Sequence, residues 1–195
     1  MRREEMPTIQ VRKWTREEYD RMVEAGVLSP EDHVELIDGE ILQVTPQGSR
    51  HATAISLCQR ALAIALSDGY LVRSQLPLAL DDISEPEPDI AVVPGFPRDY
   101  RDAHPASGLL IVEVADATLE FDRERKGSLY ARAGIAEYWI VNLIDEQLEV
   151  YRGPKLMGRD PMTWGYQSYE CFGTGQSVSP LFDPRIQIAV AELLP

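Results

Sequence analysis

Long apolar runs are missing from this 195-residue sequence. The longest, such as 109–112, fall far short of the roughly 20 residues that a membrane-spanning helix needs. The first residues include two glutamates and no apolar stretch, which is not typical of a secretory signal. These absences exclude a membrane protein, and we expect a soluble protein of the cytoplasm.

Cysteine and histidine are also scarce. Cys58 and Cys171 lie far apart without a neighbouring cysteine or paired histidines, which excludes a disulfide framework and a structural zinc site. We predict that both are buried as small apolar side chains. The chain has only 3 histidines and lacks the GxSxG, P-loop and GxGxxG motifs. Hydrolases and nucleotide-binding proteins built on those motifs are therefore disfavoured.

Lysine and arginine are few relative to aspartate and glutamate. The chain has 19 lysines and arginines against 32 acidic residues, a formal net charge of -13. An acidic surface repels a polyanion, so the protein is not expected to hold nucleic acid through phosphate contacts alone. Any polyanionic substrate would need local basic groups or a bound cation.

The order of turns and apolar stretches predicts one domain over residues 1–195, with 1–13 as a loose lead-in. A capping box begins at Thr15, and Gly26 can end the helix that follows. Asp38-Gly39 separates two short apolar strands and is typical of a tight hairpin turn. Further helices are predicted at 51–66 and 122–133, and strands at 70–80, 89–93, 109–115, 138–141 and 148–151. Surface loops are predicted at 94–108 and 153–165, and a strand and a turn that pack back on the sheet over 177–188. This order indicates an α/β or α+β fold.

Two acids stand where apolar strands are predicted. Glu113 interrupts the run from 109 to 115, and Asp89 directly precedes another apolar run. A carboxylate in a strand that is covered on both faces must be paired, protonated or bound to a metal. If the two strands are neighbours, Asp89 and Glu113 form an oxygen-rich site of the kind that suits Mg²⁺ or Mn²⁺. The alternative is that Asp89 caps a turn and Glu113 pairs with a buried arginine or lysine.

Lys126 is a candidate partner for Glu113. It follows Glu113 by 13 positions, on the next predicted helix, which can return across the end of the strand. The alternative is an i, i+4 ion pair with Asp122 on a solvated helix face. Both interpretations of Lys126 stay open from the sequence alone.

These residues belong to a longer series of segments along the chain, which is formed by Glu35 to Glu40, His51, Pro88-Asp89, Glu113-Val114, Asp122-Arg123, Lys126, Tyr130-Ala131, Gly134-Ile135 and Glu137 to Val141. Over residues 14–190 the series strongly resembles the Uma-type restriction-endonuclease-like family, which is similar to the PD-(D/E)XK nuclease superfamily. The resemblance implies a restriction-endonuclease-like fold, in which helices flank a central mixed β-sheet. The predicted N-terminal helix and β-hairpin would precede that sheet.

The resemblance also assigns roles to residues. Asp89 and Glu113 match the two acids of the superfamily motif and would hold Mg²⁺ or Mn²⁺. The lysine expected two positions after the second acid is replaced by Ala115, and Lys126 is the residue that matches the displaced cation of the family. Two further positions are implied in the site: Glu35, which would support a second metal or a water, and Gln75.

His51 also matches a family position, although a histidine at the start of a helix can simply cap or pack. The resemblance further suggests a homodimer, because an uncovered sheet edge in the late strands would invite pairing.

The residue pattern and the family resemblance together predict a Mg²⁺-dependent endonuclease that hydrolyses phosphodiester bonds of nucleic acid, with DNA as the expected substrate. Two alternatives remain. The net charge of -13 favours a catalytically silent binding or assembly module, although such a module has no physical reason to keep two costly carboxylates. A metal-dependent hydrolase of a smaller substrate would explain the missing basic groove.

Overall fold

The computed structural model describes residues 11–44, 48–160 and 162–195. Its helices and strands are, in chain order, α1 (Arg16–Glu24), β1 (Val34–Ile37), β2 (Glu40–Gln43), α2 (Ser49–Ala65), β3 (Tyr70–Ser74), β4 (Ile90–Pro94), β5 (Leu110–Ala115), α3 (Leu119–Phe121), a π-helical turn (Asp122–Lys126), α4 (Gly127–Arg132), β6 (Glu137–Asn142), β7 (Gln147–Leu156), β8 (Trp164–Gly173), β9 (Ser177–Val178) and β10 (Ile188–Ala189).

The centre of the fold is a six-stranded sheet in the order β3-β4-β5-β6-β7-β8. Among these neighbours, β5 and β6 run parallel and the other pairs are antiparallel. Two adjacent parallel strands require a crossover connection, which the helical segment 119–132 provides. The predicted mixed sheet with flanking helices is therefore confirmed.

Both faces of the central strands are covered. One face packs against α2, including Cys58 and Leu62, and the other packs against the helical segment that contains Tyr130. Every residue of β5 and of β6 is buried, which is why most residues of these strands are apolar on both faces. Tyr138 and Trp139, which belong to β6, are part of this core.

The N-terminal helix and hairpin form as predicted. Thr15 and Glu18 make the reciprocal hydrogen bonds of a capping box, and Gly26 follows the helix with a φ of 69°. In the turn between β1 and β2, Asp38 and Gly39 both have positive φ, as the tight hairpin turn requires. The hairpin joins the core through a bridge between Leu36 and Glu85.

Two predictions about strands and loops are wrong. The strand expected over 70–80 ends at Ser74, where Gln75 adopts a φ of 50° and turns the chain away. The expected surface loop over 153–165 instead contributes to a long hairpin of β7 and β8. Pro154 is tolerated there because β6 pairs with β7 only as far as Arg152, so the missing N–H at 154 interrupts no bond to β6. The segment 177–188, for which a strand and a turn are expected, forms two short strands, β9 and β10, which pair with each other and add Val178 and Ile188 to the core.

The prediction for Cys171 is also wrong, whereas Cys58 is buried as expected. Cys171 lies on β8, the last strand of the sheet, where its side chain is exposed.

Of the predicted N-terminal lead-in, residues 1–10 lie outside the described part, and 11–13 have no regular structure. No helix in the described ranges has both the length and the apolar character needed to cross a membrane.

Candidate active site

Two acids converge at one end of the central strands, as the sequence predicts. Ser74, Ile90 and Val112 are paired across β3, β4 and β5, so Gln75, Asp89 and Glu113 form the next row across these strands. The backbone N–H of Asp89 donates to Glu113 Oε2 at 3.3 Å. The N–H of Val114 donates to Asp89 Oδ2 at 2.8 Å. Both side chains are almost fully buried.

Lys126 reaches this row from the helical segment that follows β5. Its Nζ donates to Glu113 Oε1 at 2.9 Å and lies 3.5 Å from Glu35 Oε2. The side chain is buried, so the alternative of an ion pair with Asp122 on a solvated face is wrong. Lys126 ends a π-helical turn, a local widening that is common at functional sites.

Tyr130 approaches the same carboxylate from one helical turn further along. Its hydroxyl donates to Glu113 Oε1 at 2.6 Å. Lys126 and Tyr130 are four positions apart, so both side chains lie on one face of the helical segment. Glu113 Oε1 is thus held by two donors, while Oε2 accepts from the backbone of Asp89.

His51 contacts the other acid from the first turn of α2. Its Nε2 lies 2.7 Å from the carbonyl oxygen of Val114 and 3.4 Å from Asp89 Oδ2. Burial lowers the pKa of this imidazole, but the neighbouring Asp89 carboxylate outweighs burial, and the net pKa is raised. The structure therefore places His51 at the site.

Glu35 is supplied by the β1–β2 hairpin. The hairpin is fastened to the helical segment 119–132 by Arg132, which donates to Asp38, and by Arg125, which donates to Glu40. Glu35 is buried, and its Oε2 has no hydrogen-bond partner despite the nearby Lys126 ammonium. An acceptor buried without a donor is costly unless another ligand or water occupies it.

These groups open into one cleft of ≈ 940 Å³. Gln75 and His51 also line it, whereas His33 and Gln43 contribute to its hairpin side. Its ionisable lining consists mainly of six acids, namely Glu35, Glu87, Asp89, Glu113, Asp116 and Asp122. Lys126 is the only lysine or arginine among the described residues that line the cleft.

The buried charges of the cleft do not balance. Burial raises the pKa of Glu113, and Lys126 opposes this effect. Burial likewise raises the pKa of Asp122 to about 6, and burial together with Glu35 raises that of Glu87. Lys126 keeps a raised pKa because its three carboxylate neighbours outweigh its own desolvation. One ammonium therefore faces several buried carboxyl groups, an arrangement that a divalent cation would stabilise.

The oxygen donors fit Mg²⁺ or Mn²⁺. Asp89 and Glu113 supply carboxylates beside the carbonyl of Val114, and hard cations prefer such oxygens. Within the described ranges, no three His, Cys, Asp or Glu side chains already form a metal-binding group. Mg²⁺ commonly uses one or two carboxylates and completes its shell with water and substrate oxygens.

Residues 16–191 match the sequence profile of the family described as Uma2, putative restriction endonuclease. The chain belongs to this family. Membership of the Uma2 family supports a nuclease-like function, and it confirms the resemblance on which the sequence-based assignment of Asp89 and Glu113 depends. No curated protein matches the chain.

A solved structure has the same fold. The chain is similar to a putative nuclease belonging to DUF820 from Anabaena variabilis ATCC 29413, with a TM-score of 0.67 and 18% identity over 92% of this chain and 96% of that one. At this identity the likeness concerns the fold. The type IIG restriction endonuclease BpuSI aligns with a TM-score of 0.37 and 21% identity over 57% of this chain and 13% of that one, too weakly to carry an argument.

Several cleft residues have no individual role in the sequence-based prediction. The signal for Tyr130 is its spacing of four positions from Lys126. Asp122 carries no such signal, because its burial depends on how the π-helical turn packs. Glu87 and Phe121 line the cleft through loop and helix-end positions that only the folded chain brings together.

Proposed function

We propose that this chain is a metal-dependent endonuclease that hydrolyses phosphodiester bonds of nucleic acid, with DNA as the substrate. One observation carries the proposal: Glu113, Glu35 and Asp122 are buried around the single ammonium of Lys126, and Asp89 is buried beside Glu113. Burying carboxylates in excess of cations destabilises a fold, so a function that uses them is the physical reason to keep them. Membership of a restriction-endonuclease family supports the same reaction class.

Mg²⁺ or Mn²⁺ would be held by Asp89, Glu113 and the carbonyl of Val114. When bound, such a cation polarises the phosphodiester, lowers the pKa of an attacking water and neutralises negative charge in the transition state. His51 contacts both Asp89 and the Val114 carbonyl, so it would fix the orientation of these two donors or join them as a ligand.

Lys126 and Tyr130 are proposed to position Glu113 and to place one positive charge beside the reacting phosphate. Two contacts of the ammonium are directed to Glu113 and Glu35, which leaves a third N–H for a phosphate oxygen or a water. Oε2 of Glu35 lies 3.5 Å from the ammonium but accepts no hydrogen bond, and it would accept one from water or support a second cation. Gln75, on the same row as Asp89, would offer its amide to the substrate.

We further propose that the protein is a homodimer paired through β8. This ten-residue strand lies at the end of the sheet and pairs with β7 alone among the described strands. Its side chains are mostly exposed, including Tyr169 and Cys171. An uncovered strand of this length invites a second strand. Sedimentation equilibrium would give twice the chain mass if the proposal is right and the monomer mass if it is wrong.

The acidity of the cleft favours one second candidate, a metal-dependent phosphodiesterase that acts on a smaller substrate. Six acids line the cleft, and Lys126 is its only lysine or arginine among the described residues. A polymer substrate releases counterions on binding, so cleavage by a nuclease should fall steeply with salt and rise with substrate length. A small phosphodiester should depend much less on either variable.

The test is a cleavage assay with plasmid, linear and single-stranded DNA and with RNA, in Mg²⁺, Mn²⁺ or EDTA. The parent is compared with Glu113→Gln and with Glu192→Gln, which changes an exposed glutamate outside the cleft. We expect cleavage that requires metal, that falls by at least about 10³-fold in Glu113→Gln and that is unchanged in Glu192→Gln. Equal cleavage by the parent and a folded Glu113→Gln would contradict the assignment.

A further inference from the structure

The cleft contains an apolar wall in addition to its carboxylates. The wall is formed by side chains from the hairpin and from the segment after β5, which are Val34, Ile37, Leu42, Val44, Ala117 and Phe121. A site that only hydrolysed phosphate esters through a metal would need no such surface. Apolar side chains in an open cleft indicate that part of the ligand is itself apolar.

Phe121 is the aromatic member of this wall. It ends α3, immediately before the π-helical turn that delivers Lys126. The guanidinium carbon of Arg125 lies 5.9 Å from the ring centroid, and the same guanidinium donates to Glu40 Oε2 at 2.5 Å and to the carbonyl of Ile37 at 3.3 Å. The ring is therefore packed by a side chain that is itself tied to the hairpin, and it remains part of the cleft lining.

A nucleotide matches both halves of the cleft. Its phosphodiester suits the metal-binding carboxylates, and its flat base suits an aromatic and aliphatic wall, on which bases stack without regard to sequence. Stacking contacts would add affinity that phosphate contacts supply poorly here, because the net charge is -13 and Lys126 is the only lysine or arginine among the described residues of the cleft. In an intact duplex the bases are already stacked on each other and cannot reach the wall.

The size of the cleft agrees with a single strand. Its volume of ≈ 940 Å³ lies at the upper end of small-molecule sites, which span roughly 300–1,000 Å³. Such a volume suits a few nucleotides of one strand rather than a double helix.

We infer that the cleft binds an unpaired nucleotide, with the base against Phe121 and the phosphodiester at Asp89 and Glu113. The substrate is then single-stranded nucleic acid or an unpaired segment within a duplex. This inference rests on the proposed nuclease function and narrows it, since a duplex-specific endonuclease would not use the wall.

The test compares the parent with Phe121→Leu, which keeps apolar bulk but removes the ring, and with Phe121→Trp, which keeps an aromatic face. Phe96→Leu is the matched control, because Phe96 is an exposed phenylalanine outside the cleft. Substrates share one sequence and are presented as single-stranded DNA, blunt duplex, duplex with a single-stranded flap, and single-stranded RNA. The last two distinguish an unpaired segment from a free strand and DNA from RNA.

We expect kcat/KM on single-stranded DNA to exceed that on blunt duplex by about tenfold or more. Phe121→Leu should lower the single-strand value about tenfold, mainly through KM, whereas Phe121→Trp and Phe96→Leu should stay within about twofold of the parent. Equal cleavage of blunt duplex and single strand overturns the inference. So does a folded Phe121→Leu that cleaves single strands as well as Phe96→Leu.

The two proposals fail in different ways. If cleavage is absent or survives Glu113→Gln, the proposed function fails. Fluorescence anisotropy with a labelled 12-nucleotide strand and its duplex, in Ca²⁺, then decides the inference on its own. Tighter binding of the single strand that weakens in Phe121→Leu supports it, and binding that is equal for both forms or unaffected by Phe121→Leu overturns it.

Discussion

Two groups of buried acids in this protein differ in how their negative charge is balanced. Glu137 and Glu149, on β6 and β7, are fully buried, and each has an arginine of its own. Arg152 donates twice to Glu137, at 2.8 and 2.7 Å, and Arg123 donates twice to Glu149, at 3.1 and 2.6 Å. Such two-point contacts balance both the charge and the hydrogen bonds of a buried carboxylate.

In the cleft the buried acids outnumber their cations. Burial raises the pKa of Glu113 more than Lys126 lowers it. At Glu149 burial also acts to raise the pKa, but the hydrogen bonds that this carboxylate accepts, those from Arg123 first, lower it overall. The contrast teaches that burial alone does not mark a functional acid. A carboxylate that has its own arginine stabilises the fold, and carboxylates that share one lysine indicate a site that takes a further cation.

The largest expected difference between the two groups is in stability. Glu149→Gln leaves the guanidinium of Arg123 without its buried partner and should lower the free energy of unfolding by about 2–4 kcal/mol. Glu113→Gln should change it by less than about 1 kcal/mol in EDTA, since Lys126 keeps Glu35 at 3.5 Å and the surplus of buried carboxyl groups falls by one. Urea unfolding followed by circular dichroism measures both.

Exposed Glu192→Gln again serves as the control, because it makes the same chemical change at a residue outside both groups. If Glu113→Gln is as destabilising as Glu149→Gln, the distinction between the two groups is wrong, and Glu113 is simply one more paired core acid.

The sequence predicts only part of this contrast. Glu113 stands out because apolar residues flank it on both sides, and the same reasoning identifies Asp89 and Lys126. Glu137 and Glu149 lie in strands that are equally buried, yet their arginines are 15 and 26 positions away and become visible as partners only in the folded sheet. The apolar residues that flank an acid in the sequence indicate that it is buried, but its role depends on whether a cation distant in sequence pairs with it in the fold.

A smaller effect is expected at Glu85, a buried acid that belongs to neither group. Its only ion-pair partner among the described residues is Arg16, at 4.0 Å, and burial with nearby Asp20 raises its pKa to about 7 despite Arg16. Because the folded state binds this proton more tightly than the unfolded state, the stabilisation is present below pH 4.5 and is lost as the pH rises through 7.

Glu85→Gln removes that titration. The free energy of unfolding of the parent should therefore fall between pH 5 and pH 8 by about 1–2 kcal/mol more than that of Glu85→Gln. Parallel slopes for the two proteins across this range would show that Glu85 does not titrate as described.

The position of the hairpin could not be predicted from local sequence. The Asp38-Gly39 turn predicts its shape, but Glu35 reaches the cleft through contacts distant in sequence, which are the bridge from Leu36 to Glu85 and the bonds from Arg125 and Arg132 to the hairpin. The length of β7 and β8 could not be predicted either, because here the local sequence gives a misleading signal. Glycine and proline near residues 153–165 predict a loop, and the pairing of ten residues on each strand overrides that local preference.

The most direct test of the account is a calorimetric titration of Mn²⁺ into the metal-free protein at pH 7. The parent and Glu192→Gln should bind with the same affinity, and binding should be lost in Asp89→Asn and weakened in Glu113→Gln, with each variant shown to be folded. Saturating Mn²⁺ should also raise the Tm of the parent by several degrees, since a cation at 100-fold its Kd adds about 2.7 kcal/mol. Binding that is unchanged in Asp89→Asn, or no binding by the parent, would contradict the claim that the cleft carboxylates exist to hold a divalent cation.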